Sequence, residues 1–157
     1  MNVFIPVTTI EGYEYLLEFS SFNNIYTPKN VDIEIVDITL KLVKGNYQVN
    51  NAGTLSLISF IVSDFMESND VILYFYCDVK DIKRRNNAIS PQKYRSLLFS
   101  KIFEKELNHN KNADSYVNKI IILKDTHDDE HYIHLISKSK NEAQINTIIL
   151  ELNKLNK

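Results

Sequence analysis

The chain has 157 residues, 44% of them hydrophobic and 24% charged. That length suits one domain, 1–157, able to bury roughly 70% of the surface its unfolded form exposes. The formal net charge of −2 provides no global field for nucleic acid or acidic membranes, and a single cysteine, Cys77, excludes an internal disulfide.

The opening MNVFIPVTTIEG has neither a basic start nor a long apolar stretch, so no signal peptide is expected. The longest apolar run, residues 71–77, is far below the ~20 residues a membrane span requires. The expectation is a cytoplasmic protein.

Residues 3–9 are β-branched and predict a first strand; Glu11-Gly12 offers a turn, and residues 13–19 predict its antiparallel partner. Residues 23–30, with Pro28, read as a loop. In VDIEIVDITLKLV, apolar residues alternate at Val31, Ile33 and Ile35, then switch phase to Val36, Ile38, Leu40 and Leu42. A one-residue slip would turn the core face to water, so a β-bulge near Ile35-Val36 is expected.

Asn50 or Asn51 can cap a helix reaching about Glu67. Leu55, Ile58, Ile61, Val62, Phe65 and Met66 form its apolar side, and Ser56, Ser59, Ser63 and Glu67 its expected solvated side. Residues 71–77 are apolar at every position, as in a central strand covered on both faces. Ser90 as N-cap and Pro91 at the first helical position open a second helix to about Leu107.

Residues 119–124 and 131–137 predict two further strands around a THDDE hairpin tip. Ser139 with Glu142 makes a capping box before a last amphipathic helix carrying Ile145, Ile148, Ile149, Leu152 and Leu155. The order β-β-β-α-β-α-β-β-α indicates an α+β domain, a mainly antiparallel sheet with three packed helices.

Chemistry-bearing residues gather in residues 71–99, VILYFYCDVKDIKRRNNAISPQKYRSLLF. Helical spacing puts Arg95 among Leu98, Phe99 and Ile102, in the middle of the second helix's apolar face. A guanidinium there must find acceptors, and Asp78 is the best placed in sequence. The pair would fasten strand to helix; otherwise Arg95 would hold an anion, carboxylate or phosphate.

Lys80, Lys83, Arg84 and Arg85 form a basic cluster diluted by Asp81. It reads as a solvated loop or, alternatively, as a phosphate-contacting surface. Asp78-Val79-Lys80 also has the acid-x-Lys order of metal-dependent nucleases, which would need Asp64, Asp70 or Asp81 as a second carboxylate.

His127, Asp128, Asp129, Glu130 and His131 are metal-ligand types, but the glutamate stands beside the second histidine rather than at zinc-helix spacing. On a strand His131 and His134 would point to opposite faces. Cys77, at the end of an apolar strand, reads as a buried thiol, with His134 the one strand histidine able to approach it. The three glycines are isolated, so no phosphate-binding glycine loop exists.

A strand ending in YFYCD, a linker with KRR, and then SPQKYRSLLFSKIFEK resemble an uncharacterised bacterial family, domain of unknown function 6169. DFMESNDVILYFYCD and HYIHLISK fit the same pattern. The resemblance places Cys77, Asp78, Arg84 or Arg85, Arg95 and Phe99 at the family's recurring positions. Its members carry an aromatic pair near the end of this helix, where this chain has Ile102-Phe103. The family brings no established activity.

The reading that follows is a non-enzymatic binding or interaction module, of regulatory, immunity or defence association, with no cofactor. Its candidate surface comprises Asp78, Lys80, Lys83, Arg84, Arg85, Tyr94 and Arg95. The partner expected is a protein, with no membrane. The alternative is nucleic-acid binding, or metal-dependent processing, through the basic segment.

Overall fold

A computed structural model describes residues 2–9, 12–22, 30–44, 52–77, 88–109 and 116–154. Among them are six strands: β1 (Asn2–Thr8), β2 (Glu14–Ser21), β3 (Ile35–Lys44), β4 (Ile72–Tyr76), β5 (Tyr116–Lys124) and β6 (Glu130–Lys138). Three helices join them: α1 (Ala52–Ser68), α2 (Pro91–His109) and α3 (Glu142–Lys154). The fold is the expected α+β arrangement, and the sheet order is β1-β2-β3-β4-β6-β5. Every neighbouring pair is antiparallel except β3 and β4, which run parallel with α1 between them in sequence. A parallel pair requires such a crossover because its strand ends lie at opposite edges. No described helix is long and apolar enough to cross a membrane.

The first hairpin closes through Thr9, whose N–H donates to the Tyr13 carbonyl at 2.9 Å and whose carbonyl accepts from Gly12 N–H at 3.0 Å. Gly12 has φ 87°, a conformation that glycine enters without a Cβ penalty.

The sheet carries a separate core on each face. On one side Leu17, Phe19, Val36, Ile38, Leu73 and Ile136 meet Ile58, Val62, Phe65 and Met66 of α1 and Phe103 of α2. The Phe19 and Phe65 rings stack with centroids 4.0 Å apart. On the other side Ile35, Ile72, Ile121, Ile133 and Leu135 meet Ile145 and Ile148 of α3. Each such side chain taken from water contributes about 1.5–3 kcal/mol. The β3–β4–β6 centre is therefore covered twice, which is why residues 71–73 and 132–137 are buried without alternation.

Two covered faces also explain the phase change in β3, and the bulge expected near Ile35-Val36 is not there. Val31, Ile33 and Ile35 belong with the α3-side core, while Val36, Ile38 and Leu40 belong with the α1-side core. From Val31 to Leu40 odd and even residues keep strict alternation, and only the cover changes. The register shift in β3 lies at its far end, where Glu14 pairs with Lys44 but Tyr15 pairs with Leu42. Val43, the residue passed over, is 65% exposed. Residues 31–34 precede the ladder and are held by α3, whose Gln144 Oε1 accepts from the N–H groups of Asp32 and Ile33 at 3.2 and 3.3 Å.

The serine side of α1 also differs from the amphipathic expectation. Ser59 and Ser63 are buried, while Leu57 and Phe60 are exposed. α1 packs alongside α2 as well as on the sheet, so its covered arc is wider than the apolar stripe and takes in small hydroxyl residues. At α3, Ser139 opens a 3-10 turn through Asn141, and the Glu142 carboxylate reaches across to Lys119 Nζ of β5 at 2.9 Å. Asn141 ties this corner inward, donating to Ser137 Oγ and Asp70 Oδ1, both at 2.9 Å. These bonds and the Lys140 ammonium hold the Asp70 carboxyl below its usual range.

Candidate functional site

The carboxyl end of β4 is where the sheet meets the first turns of α2. Ser90 caps α2 as expected, its Oγ accepting from Lys93 N–H at 3.3 Å. Gln92 Nε2 donates to the Glu130 carbonyl at 2.8 Å, fixing that first turn to the start of β6. Cys77 N–H donates to the Tyr132 carbonyl at 2.9 Å, carrying the β4–β6 pairing one residue beyond the strand. Tyr76 and Cys77 are consecutive in an extended backbone and so face opposite sides.

On the side of α2, four polar side chains form a hydrogen-bonded chain that runs from the buried Ser96 and His134 to the half-buried Asn118 and Ser100. Ser96 Oγ lies 2.8 Å from His134 Nε2, and His134 Nδ1 lies 3.0 Å from Asn118 Oδ1. Asn118 Nδ2 donates to Ser100 Oγ at 3.5 Å, which leaves Oδ1 as an acceptor. His134 Nδ1 therefore carries the proton, and Ser96 donates its hydroxyl hydrogen to Nε2. Ser96 also lies within hydrogen-bond reach of the Cys77 sulfur. Phe75 and Phe99 wall the imidazole, the latter edge-on at 5.2 Å.

Burial governs protonation here. It pushes His134 down to about 4, so the ring is neutral at physiological pH. It pushes the Cys77 thiol up to about 12 against the opposing pull of the Arg95 charge and the Ser96 hydroxyl. The Ser-His-Asn order matches that of a hydrolase relay, yet Ser96 is 3% exposed and His134 is 0% exposed. A nucleophile must be reached by its substrate, and this hydroxyl is sealed. The arrangement joins α2, β4, β5 and β6 through satisfied polar groups, a role in which specificity of packing is gained as well as stability.

On the opposite face a second histidine sits in a more open setting. Tyr76 Oη is 2.7 Å from His131 Nδ1, and His131 Nε2 is 2.9 Å from Asp125 Oδ2. The other carboxylate oxygen of Asp125 accepts from the N–H groups of His127 and Asp129 at 2.8 and 3.0 Å. These hydrogen bonds hold the Asp125 carboxyl below its usual range, with His131 the main cause. The two histidines thus take separate partners on separate faces, as their spacing on β6 requires.

Of the residues singled out from sequence, Tyr94 and Arg95 are half-buried on α2. Arg95 is not at the centre of the buried face. That stripe runs through Gln92, Ser96, Phe99 and Phe103, and Arg95 stands one step aside, close enough for its charge to act on Cys77. Asp78, Lys80, Lys83, Arg84 and Arg85 lie outside the described residues, and with them the expected Asp78–Arg95 pair. Sequence reasoning missed Ser96, Asn118, Tyr76 and Asp125. For Ser96 a signal existed: it falls three residues before Phe99 and seven before Phe103, on the apolar stripe itself.

No protein-family model, curated protein or solved structure matches the chain.

Proposed function

We propose that the chain is a non-enzymatic binding module that engages a protein partner at the carboxyl end of β4 and the first turns of α2, with Tyr94 and Arg95 as leading contacts. The observation that supports this reading is the sealing of the Ser96–His134 pair. The residues at this end of the sheet with the order of a relay serve the interior, while an aromatic and a guanidinium remain at its rim. Tyrosine and arginine in such positions are the residue types enriched where proteins bind proteins.

Site-specific photo-crosslinking in living cells tests the reading. A photoreactive phenylalanine at position 94 should capture one defined protein, and Arg95→Glu should remove the adduct. The same probe at Leu150, exposed on α3, should not capture it. Co-purified nucleic acid, seen as a raised 260 to 280 nm absorbance ratio and lost in Arg95→Glu, would replace this reading with nucleic-acid binding.

A further inference from the structure

We propose that Tyr76 is a nucleophilic modification site, its hydroxyl activated by His131 and Asp125 to accept a group from an activated phosphoryl donor. The proposal does not rest on the binding reading, because Tyr76 occupies the other face of the sheet from Ser96 and His134.

The geometry fixes the direction of the relay. The β5–β6 turn, in which Asp128 adopts φ 65°, wraps Asp125 so that its Oδ1 accepts two backbone N–H groups. Oδ2 remains for His131 Nε2 at 2.9 Å. An ionised carboxylate can only accept, so Nε2 carries a hydrogen, and in the neutral ring the Nδ1 lone pair faces Tyr76 Oη at 2.7 Å. Tyr76 then donates to a base that is oriented from behind by a carboxylate. This is the order that activates a serine in hydrolases, with a phenol in the serine's place. Unlike the buried serine, Tyr76 is 38% exposed.

The activation matters because a free phenol titrates near 10, leaving only about 0.1% phenolate at pH 7. A positioned base removes the need for prior ionisation and typically contributes about 10²–10⁴-fold. The phenol oxygen is a hard nucleophile, suited to tetrahedral phosphorus, and the aryl phosphate formed is a lasting product where an aryl ester would hydrolyse. In the step, the Tyr76 oxygen bonds to phosphorus and the bond to the leaving group breaks. The phenolic proton passes to His131 Nδ1, and the leaving group departs with its electron pair. The imidazolium then returns the proton to water. No electron is gained or lost overall.

The test treats the full chain with an alkyl fluorophosphonate, from which fluoride leaves, and maps the adducts by peptide mass spectrometry. Tyr76 should label at least about 30-fold faster than Tyr13, a half-buried internal comparator. His131→Gln should slow Tyr76 about 100-fold, and Asp125→Asn about 10-fold, with near-ultraviolet circular dichroism unchanged. Tyr76→Phe should lose that adduct alone. Should either variant fail to fold, the wild-type rate profile between about pH 8 and 9.5 decides: a base-assisted hydroxyl gives a plateau, whereas unassisted phenolate formation gives about tenfold per pH unit. Equal labelling of Tyr76 and Tyr13, an unslowed folded His131→Gln, or the tenfold slope would each overturn the assignment.

Discussion

Ser96 on α2 and His134 on β6 meet at 2.8 Å across 38 residues of chain, in a part of the interior closed to solvent. The bond is the polar centre of the contact between helix and sheet, and its energetics are asymmetric. Ser96→Ala leaves Nε2 of a buried ring without its donor, a loss of about 1–3 kcal/mol. Chemical denaturation should show the midpoint falling with an unchanged m-value.

The same histidine gives stability a defined pH dependence. Its folded value, about 4, lies below the unfolded 6.5. Between those values the unfolded chain binds more protons, so stability rises with pH in that window. The contribution is complete above 6.5 and is lost as pH falls through about 4. The slope approaches about 1.4 kcal/mol per pH unit, on the order of 3 kcal/mol in all. Urea unfolding of wild type and His134→Gln from pH 7 to 5 measures it, and the difference between them should shrink as pH falls. A constant difference would remove His134 as the source.

Cys77 should behave as an inert thiol. Burial raises it to about 12, so almost no thiolate exists at neutral pH, and the sulfur is closed off. Ellman's reagent should react only as fast as the protein opens, with a rate that follows urea concentration. Rapid labelling of the native protein would contradict this.

Asp37 carries a charge the fold disfavours. Burial raises its carboxyl first, and the neighbouring Glu18 carboxylate raises it further. For an acid raised on folding, stability falls as pH climbs from the unfolded value through the folded one. Asp37→Asn should therefore stabilise the protein at pH 7, and stabilise it less at pH 3, where the carboxyl is largely protonated. Thermal melts at the two pH values suffice.

The two-core sheet can be dissected with adjacent residues. Ile35→Ala should cost about 2–5 kcal/mol, and Val36→Ala a somewhat smaller amount, because each leaves a cavity in its own core. Since these cores lie on opposite faces, the double variant should be nearly additive, within about 0.5 kcal/mol. A coupling well above that would mean that one face responds to the other.

The order of elements was legible in the sequence because local signals agreed with the tertiary outcome. Ser90-Pro91 opens α2 where capping chemistry allows it, and the apolar spacing of Ile145, Ile148 and Ile149 marks α3. What failed was any inference that assumed one covered face. The change at Ile35-Val36 looked like a slip, yet it marks where cover passes from α3 to α1. Ser59 and Ser63 looked solvated until α2 packed beside α1.

Side-chain chemistry was legible only in part. That His131 and His134 take opposite faces follows from the two-residue period of a strand, and the sequence alone determines it. Their partners do not follow. Tyr76 and Asp125 reach His131 from residues 55 and 6 positions away, and Ser96 and Asn118 reach His134 from 38 and 16. Strand order β4-β6-β5 and the placement of α2 decide those meetings. Register and helix docking are set by burial summed over the whole sheet, a quantity no local pattern contains.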